Sequence, residues 1–173
     1  MQTMTTRHTR IDTRLGELLL TAEGAFLTGV YFPHHWYPPT AEAMGSYVDT
    51  VEDETLQLAA SELRDYLEGV RRSFTVPHRT AGDEFSEAVW GRLTEIPYGA
   101  TTTYGDLARA LGNPALAQRV GQAVGHNPLS IVIPCHRVLG ADGKLTGYAG
   151  GLARKAFLLD LEAPDDVVAS RLF

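Results

Sequence analysis

Cysteine is almost absent from this chain: its 173 residues contain one, Cys135. A lone thiol cannot form an internal disulfide. The six histidines are scattered without an HExxH or Cys/His spacing, so the sequence shows no zinc framework and calls for no metal or cofactor. Long hydrophobic runs are missing too. No stretch of 18 apolar residues occurs, and the opening "MQTMTTRHTR" lacks the apolar core of a secretory signal, so no membrane span is expected and a cytoplasmic location is. Internal repeats and low-complexity tracts are also lacking. Positive charge is in deficit, with 15 Lys and Arg against 21 Asp and Glu and a net charge of -6, which by itself argues against a nucleic-acid partner.

The distribution of charge qualifies that argument. From Gly91 to Lys155 there are seven cations (Arg92, Arg109, Arg119, Arg137, Lys144, Arg154, Lys155) against three anions (Glu95, Asp106, Asp142), a local +4 that leaves -10 for the rest. An acidic body with a basic stretch is compatible with a phosphate backbone, and equally with ordinary surface scatter. At 44% hydrophobic the chain can bury a real core. Two compact halves, residues 1–80 and 81–173, are expected in an α+β arrangement.

"RIDTRLGELLLTAEGAFLTGVYF" offers short apolar runs broken by Leu15-Gly16 and Glu23-Gly24, which suits a small antiparallel sheet. "PHHWYPPTAEAMGSYVDT" is rich in turn residues and reads as an irregular surface loop, with His34 and His35 solvated rather than metal-binding. "DETLQLAASELRDYLEG" predicts a helix carrying Leu56, Leu63 and Leu67 and stopped by Gly69. A junction is expected between Val76 and Phe85. Beyond it Asp83 caps a helix with an apolar stripe of Phe85, Val89, Trp90 and Leu93. Thr103 with Asp106 resembles a capping box for "YGDLARAL", and Gly112-Asn113-Pro114 turns the chain into another helix. Two short helices across such a turn form either a helix-turn-helix or an ordinary helical hairpin. A last helix spans about Leu152 to Glu162, and "APDDVVASRLF" reads as a tail.

The helix after Pro114 has an unusual composition. Steps of about 100° place Leu116, Val120, Ala123 and Val124 on one side and Gln118, Gly121, Gln122 and Gly125 on the other. Each glycine there costs about 1 kcal/mol of helix stability relative to alanine. Close approach of a partner, such as a nucleic-acid groove, would compensate; so would tight packing within the protein.

Cys135 lies in "SIVIPCHRVLG", after a β-branched run of buried-strand type and a proline that cannot continue a ladder, so it is expected where a strand breaks. It is either a buried small hydrophobe or a reagent. A thiol is only a few per cent thiolate at neutral pH and needs a base or cation beside it. His136 and Arg137 are candidates, yet neighbours on a straight strand face opposite ways, so the backbone must turn or a water must bridge.

"IPCHRVL" is similar to the active-site signature of the O6-alkylguanine-DNA alkyltransferases, and "IPYGATTTYGDLARALGNP", "RVGQAVGHNP" and "GKLTGYAGGLARKAFLLDLE" match that family's order and spacing over roughly Asp83 to Glu162. The resemblance implies a small ribonuclease-H-like N-terminal α/β domain, a mostly helical C-terminal domain with a winged helix-turn-helix, and DNA repair by suicide transfer. The partner implied is double-stranded DNA holding O6-alkylguanine, whose flipped base gives its alkyl group to a Cys thiolate. Carried over by residue, Cys135 is the nucleophile, His136 the base acting through a water, and Glu162 the group that orients His136. Asn127 is the hinge before the active-site segment, and Tyr104 helps rotate the target's 3' phosphate. Tyr148 lines the base pocket, with Ala149 and Arg137 beside it. The small-faced helix, through Gln118, Arg119, Gly121, Gln122 and Gly125, would lie in the minor groove, where short side chains permit close approach. A monomer is expected, and cooperative binding along DNA is compatible with that.

Two departures stand out. The family commonly reads "ARAVG", its Arg filling the gap left by the flipped base, where this chain reads "AQRVG". Gln118 then occupies the finger position, and Arg119 lies about 100° further round. Ala149 stands where some members carry a serine. An alkylated thiol is a thioether with no hydrolytic exit, so one reaction per molecule is expected. A damage-binding module without transfer and a turnover Cys-His hydrolase are the competing readings; the first is disfavoured because the alkyltransferase-like proteins replace the cysteine. DNA binding is expected to tolerate sequence and to weaken with salt.

Overall fold

The computed structural model describes residues 5–164. Most of the segment read as a tail, residues 165–173, lies outside the described residues. The chain divides into two compact units: one runs to Ala81 and takes in Pro128–Val132, and the other holds Gly82–Asn127 and resumes at Ile133.

In the first unit β1 (Thr6–Thr13), β2 (Gly16–Glu23) and β3 (Phe26–Tyr31) pair antiparallel in sequence order, and β4 (Ser46–Tyr47) adds in parallel to β1, giving the order β3-β2-β1-β4. Gly16 and Gly24 take positive φ at the two tight turns, a conformation that favours glycine. The central strand β2 is buried on both faces, which is why Leu18, Leu19, Leu20 and Ala22 read as a run; in β1 only alternate residues such as Thr9 and Ile11 are buried. The far edge of β3 is closed by chain from elsewhere in the unit: Leu27 N donates to Pro77 O and Val30 N to Pro128 O, each at 2.8 Å.

The loop after β3 is more ordered than its composition suggests. It contains a one-turn helix, α1 (Ala41–Met44), then β4, then a 3₁₀ turn at Thr50–Glu52. His34 is exposed as expected, but His35 is buried, its Nδ1 accepting from Phe32 N at 3.2 Å and its ring stacked on Phe32. A three-residue contact of this kind leaves no periodicity to read. α2 (Glu54–Leu67) starts where the Asp53 carboxylate accepts from Leu56 N and pairs with Arg7, and it buries Leu56, Ala59, Ala60, Leu63, Tyr66 and Leu67; Gly69 turns the chain away with φ 78°.

The second unit is mostly helical. α3 (Glu84–Thr94) is capped by Asp83, which accepts from Ser86 N at 2.7 Å, and buries Val89, Trp90 and Leu93; the Trp90 indole donates to Ala123 O. β5 (Thr102–Thr103) leads directly into α4 (Tyr104–Ala110), where Thr103 Oγ1 accepts from Asp106 N. Only half of the expected capping box forms, because the Asp106 carboxylate pairs with Arg109. A 3₁₀ turn at Pro114–Leu116 opens α5 (Ala117–Gly125), which packs on both α3 and α4. β6 (Val138–Leu139) pairs in parallel with β5, a contact no sequence pattern announced, and α6 (Leu152–Glu162) closes the unit.

The strand expected at "IVI" does not exist. Ser130 to Ile133 is a succession of tight turns: Val132 N donates to Ser130 O across Ile131, which has φ 72°, and Cys135 N donates to Ile133 O, both at 2.8 Å. The β-branched run reports burial, since Ile131 and Ile133 are both buried, and burial alone does not require an extended backbone. No helix among the described residues is long and apolar enough to cross a membrane.

Burial pushes the His35 imidazole down to about 4 and holds His136 well below the usual range. Below about pH 6.5 the unfolded chain takes up protons that these folded rings refuse, so stability falls with acidification. Urea unfolding between pH 7 and pH 4.5 should show the midpoint dropping, and His35→Phe should flatten that slope; a pH-independent midpoint would contradict the burial assigned to both rings.

Candidate active site

The hinge comes first. Asn127, just past the end of α5, is buried and its Nδ2 donates to Ile133 O at 2.9 Å, closing the chain across the turns that precede Cys135. Pro134 then introduces a single 3₁₀ turn, Cys135–Arg137. Three residues per turn sets successive side chains about 120° apart. The backbone therefore does turn, and Cys135 and His136 no longer face opposite ways as they would on a strand.

All three side chains are buried, and two of them converge on Glu162, the last residue of α6. Arg137 Nε donates to Glu162 Oε1 at 2.7 Å and Nη2 to Oε2 at 3.1 Å, while His136 Nε2 meets Oε2 at 2.7 Å. Arg137 Nη1 donates to Ile96 O at 2.6 Å. Arg137, expected beside the base pocket, is thus placed behind the relay. Gly99 also faces Glu162: its amide donates to the carboxylate, and a Cβ there, at φ 82°, would come 2.9 Å from Glu162 O.

Burial pushes the Glu162 carboxyl up to about 8, and the guanidinium seated on both its oxygens opposes that push. The fork geometry is that of a carboxylate bound by a permanent cation, so the pair is ionic at neutral pH. His136 is held well below its usual value by burial and then by the charges of Arg137 and Lys155, so its imidazole is neutral. With Nε2 carrying the proton toward Glu162, Nδ1 is the basic nitrogen. It is buried and has no protein hydrogen-bond partner. That ring can accept a proton on the side away from the carboxylate.

Burial pushes the Cys135 thiol up, and four features oppose it: the Asn127 side chain, the charge of Lys155, the residue's own backbone amide and the Tyr148 side chain. Tyr148 and Ala149 are both buried, next to the loop that leads into α6. Lys155 was not anticipated from the sequence. It is fully buried, and its ammonium donates to Val138 O at 2.6 Å, Thr146 O at 2.8 Å and Gly147 O at 3.3 Å. Burial pulls it down to about 8. A lysine in an apparently amphipathic helix reads as a solvated charge; only the interior position of this residue in α6 could have marked it.

The faces of α5 fall as its periodicity predicts except at Leu116, which was expected on the buried side but lies in the preceding 3₁₀ turn and is only half-buried. Val120, Ala123 and Val124 are buried, Gln118 and Gln122 are exposed, and Gly121 and Gly125 are half-buried. A Cβ on Gly121 would meet only the ring of Tyr104, at 3.7 Å, which is ordinary contact, so internal packing does not require a glycine there. Arg119 lies with its guanidinium 3.9 Å from the centroid of Phe85. Tyr104 opens α4 and is half-buried, its ring bordering Gly121. The hinge, the thiol, the imidazole and the carboxylate are brought together within this one unit.

Two family models match this sequence: "6-O-methylguanine DNA methyltransferase, ribonuclease-like domain" over residues 6–80 and "6-O-methylguanine DNA methyltransferase, DNA binding domain" over residues 84–164. The chain is 41% identical over 160 residues to the methylated-DNA–protein-cysteine methyltransferase of Mycobacterium tuberculosis, covering 91% of this chain and 94% of that protein. It is 51% identical over 111 residues to the inducible methylated-DNA–protein-cysteine methyltransferase of Bacillus subtilis, a match covering 64% of this chain and 62% of that protein's length. Among solved structures it resembles Mycobacterium tuberculosis OGT in complex with DNA, with a TM-score of 0.82 and 38% identity over 93% of this chain and 97% of the other.

Replacing Glu162 by Gln should leave Arg137 buried without its anion. A loss of about 3–5 kcal/mol in unfolding free energy is expected for breaking such a pair, readable as a lower urea midpoint. An unchanged midpoint would mean that the carboxylate is not the partner of the guanidinium.

Proposed function

The chain belongs to the 6-O-methylguanine DNA methyltransferase family, and from that premise we propose that it repairs double-stranded DNA by moving the alkyl group of an O6-alkylguanine onto its own Cys135, once per molecule. The observation that carries this reading is the buried sequence of contacts from Glu162 to His136, whose free Nδ1 is on the side away from the carboxylate. In the reaction Sγ attacks the alkyl carbon, the carbon–O6 bond breaks with its electron pair going to the base, and a thioether and an ordinary guanine result. The thiol proton leaves through His136, by way of a water, and ends on the guanine. Glu162 keeps the imidazole in the tautomer that can take that proton, following the nucleophile, base and orienter logic of activated thiols. Asn127 and Tyr148 support the developing thiolate. Ala149 has no hydroxyl for the guanine oxygen, which leaves that contact to backbone amides or to Tyr148.

The base must leave the stack to reach a buried thiol, at a cost of a few kcal/mol. α5 is the element we assign to the minor groove, with Gln118, Gly121, Gln122 and Gly125 facing the DNA and Tyr104 turning the target nucleotide. Gln118 fills the gap left by the base. What supports Gln118 over Arg119 is the engagement of Arg119 on Phe85, which keeps its guanidinium on α3. A monomer acting in the cytoplasm, with the first unit supporting the second, completes the proposal. The alternative of binding damage without transfer requires no nucleophile and leaves Cys135 unexplained.

Incubation with duplex DNA containing O6-methylguanine, followed by digestion and mass spectrometry, should add one methyl to the Cys135 peptide and saturate at one equivalent. Cys135→Ser should bind the same DNA and transfer nothing. Absence of the methyl mass, or product beyond one equivalent, would sink the suicide mechanism. Gly121→Ala separates the two roles of its helix face: thermal stability should rise by roughly 1 kcal/mol while affinity for duplex DNA falls. Unchanged affinity would remove α5 from the interface.

A further inference from the structure

Arg119 is the only charged residue of α5, and it stands in the first turn of that helix, which no side chain caps. The unpaired amides of a helix start disfavour a cation. The side chain leaves that position: its guanidinium lies 3.9 Å from the centroid of Phe85. Phe85 is the second residue of α3, in a first turn that carries Glu84 and Glu87 behind the Asp83 cap. A cation has thus moved from a helix start that repels it to an acidic one, with an aromatic face to rest on. The ring is what holds it, since among the described residues the Arg119 side chain makes no hydrogen bond and no ion pair. Gln118, the preceding residue, is exposed and has no charge for the helix start to repel.

We propose that Phe85 is a positioning residue for base extrusion: by seating the Arg119 guanidinium on α3 it withdraws the competing side chain and leaves Gln118 to fill the gap in the duplex. The inference rests on the alkyl-transfer reading and deepens it. That reading needs a side chain in the gap, and α5 offers two long neighbours. They lie about 100° apart on the helix, so one gap admits one of them. A guanidinium stacked on an exposed ring favours the seated state about 2- to 5-fold, and the acidic first turn of α3 acts in the same direction. Which side chain enters the DNA is therefore set from α3, by a residue that itself need not touch the duplex.

The test measures how much Gln118→Ala slows the protein in different backgrounds. Made alone, it should slow single-turnover methyl transfer from duplex O6-methylguanine DNA, and the unstacking reported by 2-aminopurine beside the lesion, by about 10-fold. Made in Phe85→Leu, which keeps the apolar bulk and loses the ring, it should slow both about 2- to 5-fold less, because the released Arg119 takes over. Adding Arg119→Ala to that pair should bring back the full loss, a dependence that independent sites would not show. Phe85→Tyr, which keeps a ring, should leave the full loss in place. Without DNA, the Arg119 side-chain protons should be shifted upfield in the NMR spectrum by the Phe85 ring, a shift lost in Phe85→Leu and kept in Phe85→Tyr. An equal loss from Gln118→Ala with and without the ring, or Arg119 protons at their solvent positions in the wild-type protein, would each overturn the proposal. If the wild-type protein neither unstacks a base nor transfers a methyl group, the alkyl-transfer reading fails and takes this one with it; transfer with a loss indifferent to Phe85→Leu defeats the role of Phe85 alone.

Discussion

The second unit depends on a carboxylate that has no access to water. Glu162 ends α6 inside the protein, and a buried anion left unpaired would cost more than the helix could return. Its two oxygens are therefore occupied: Arg137 takes both, His136 shares one, and the Gly99 amide adds a further donor. The partners come from two other stretches of chain, so satisfying one charge draws α6, the turn after Pro134 and the segment after α3 to a single point. The chemistry is a by-product of that satisfaction. A histidine that must face Glu162 through Nε2 has its other nitrogen fixed, in tautomer and in direction.

A second buried charge does the corresponding work on the other side of the thiol. Lys155, on the same helix as Glu162, has carbonyls as its hydrogen-bond partners, and three of them shape β6 and the loop before Tyr148. The parallel pairing of β5 with β6 then matters more than its two-residue length suggests. β5 runs straight into Tyr104, and β6 follows Arg137 without a break, so the residue assigned to the nucleotide and the residues assigned to the chemistry are registered to each other by backbone hydrogen bonds. The small-faced helix α5 packs on α3 and α4, which carries its glycine and glutamine side outward.

Much of the fold was legible where one physical signal had one structural outcome. The helix over Glu54–Leu67 and the one ending at Glu162 follow from apolar spacing, and the Asp83 and Thr103 caps follow from a side-chain oxygen placed before a helix. The signal failed where it had two outcomes. "IVI" encodes burial, and buried chain can be a strand or, as here, a set of turns stitched by Asn127. His35, in a stretch of prolines and aromatics, gave no hint of the local bond from Phe32 N that buries it. Lys155 looked like a surface charge because periodicity reports which faces are apolar, and a charged residue on a buried face is invisible to it.

What the sequence determined by itself was the identity of the reagents: one thiol, the histidine and arginine beside it, the glutamate closing the last helix, and a helix face too small to be ordinary surface. Those are statements about residue type and local spacing, which a linear string holds completely. Tertiary structure decided how they meet. Cys135 and Glu162 are separated by 26 intervening residues, and no local rule sets a 2.7 Å contact between the Glu162 carboxylate and His136 Nε2. That distance follows from the need to satisfy a buried charge, a condition the whole unit imposes and no segment can state alone.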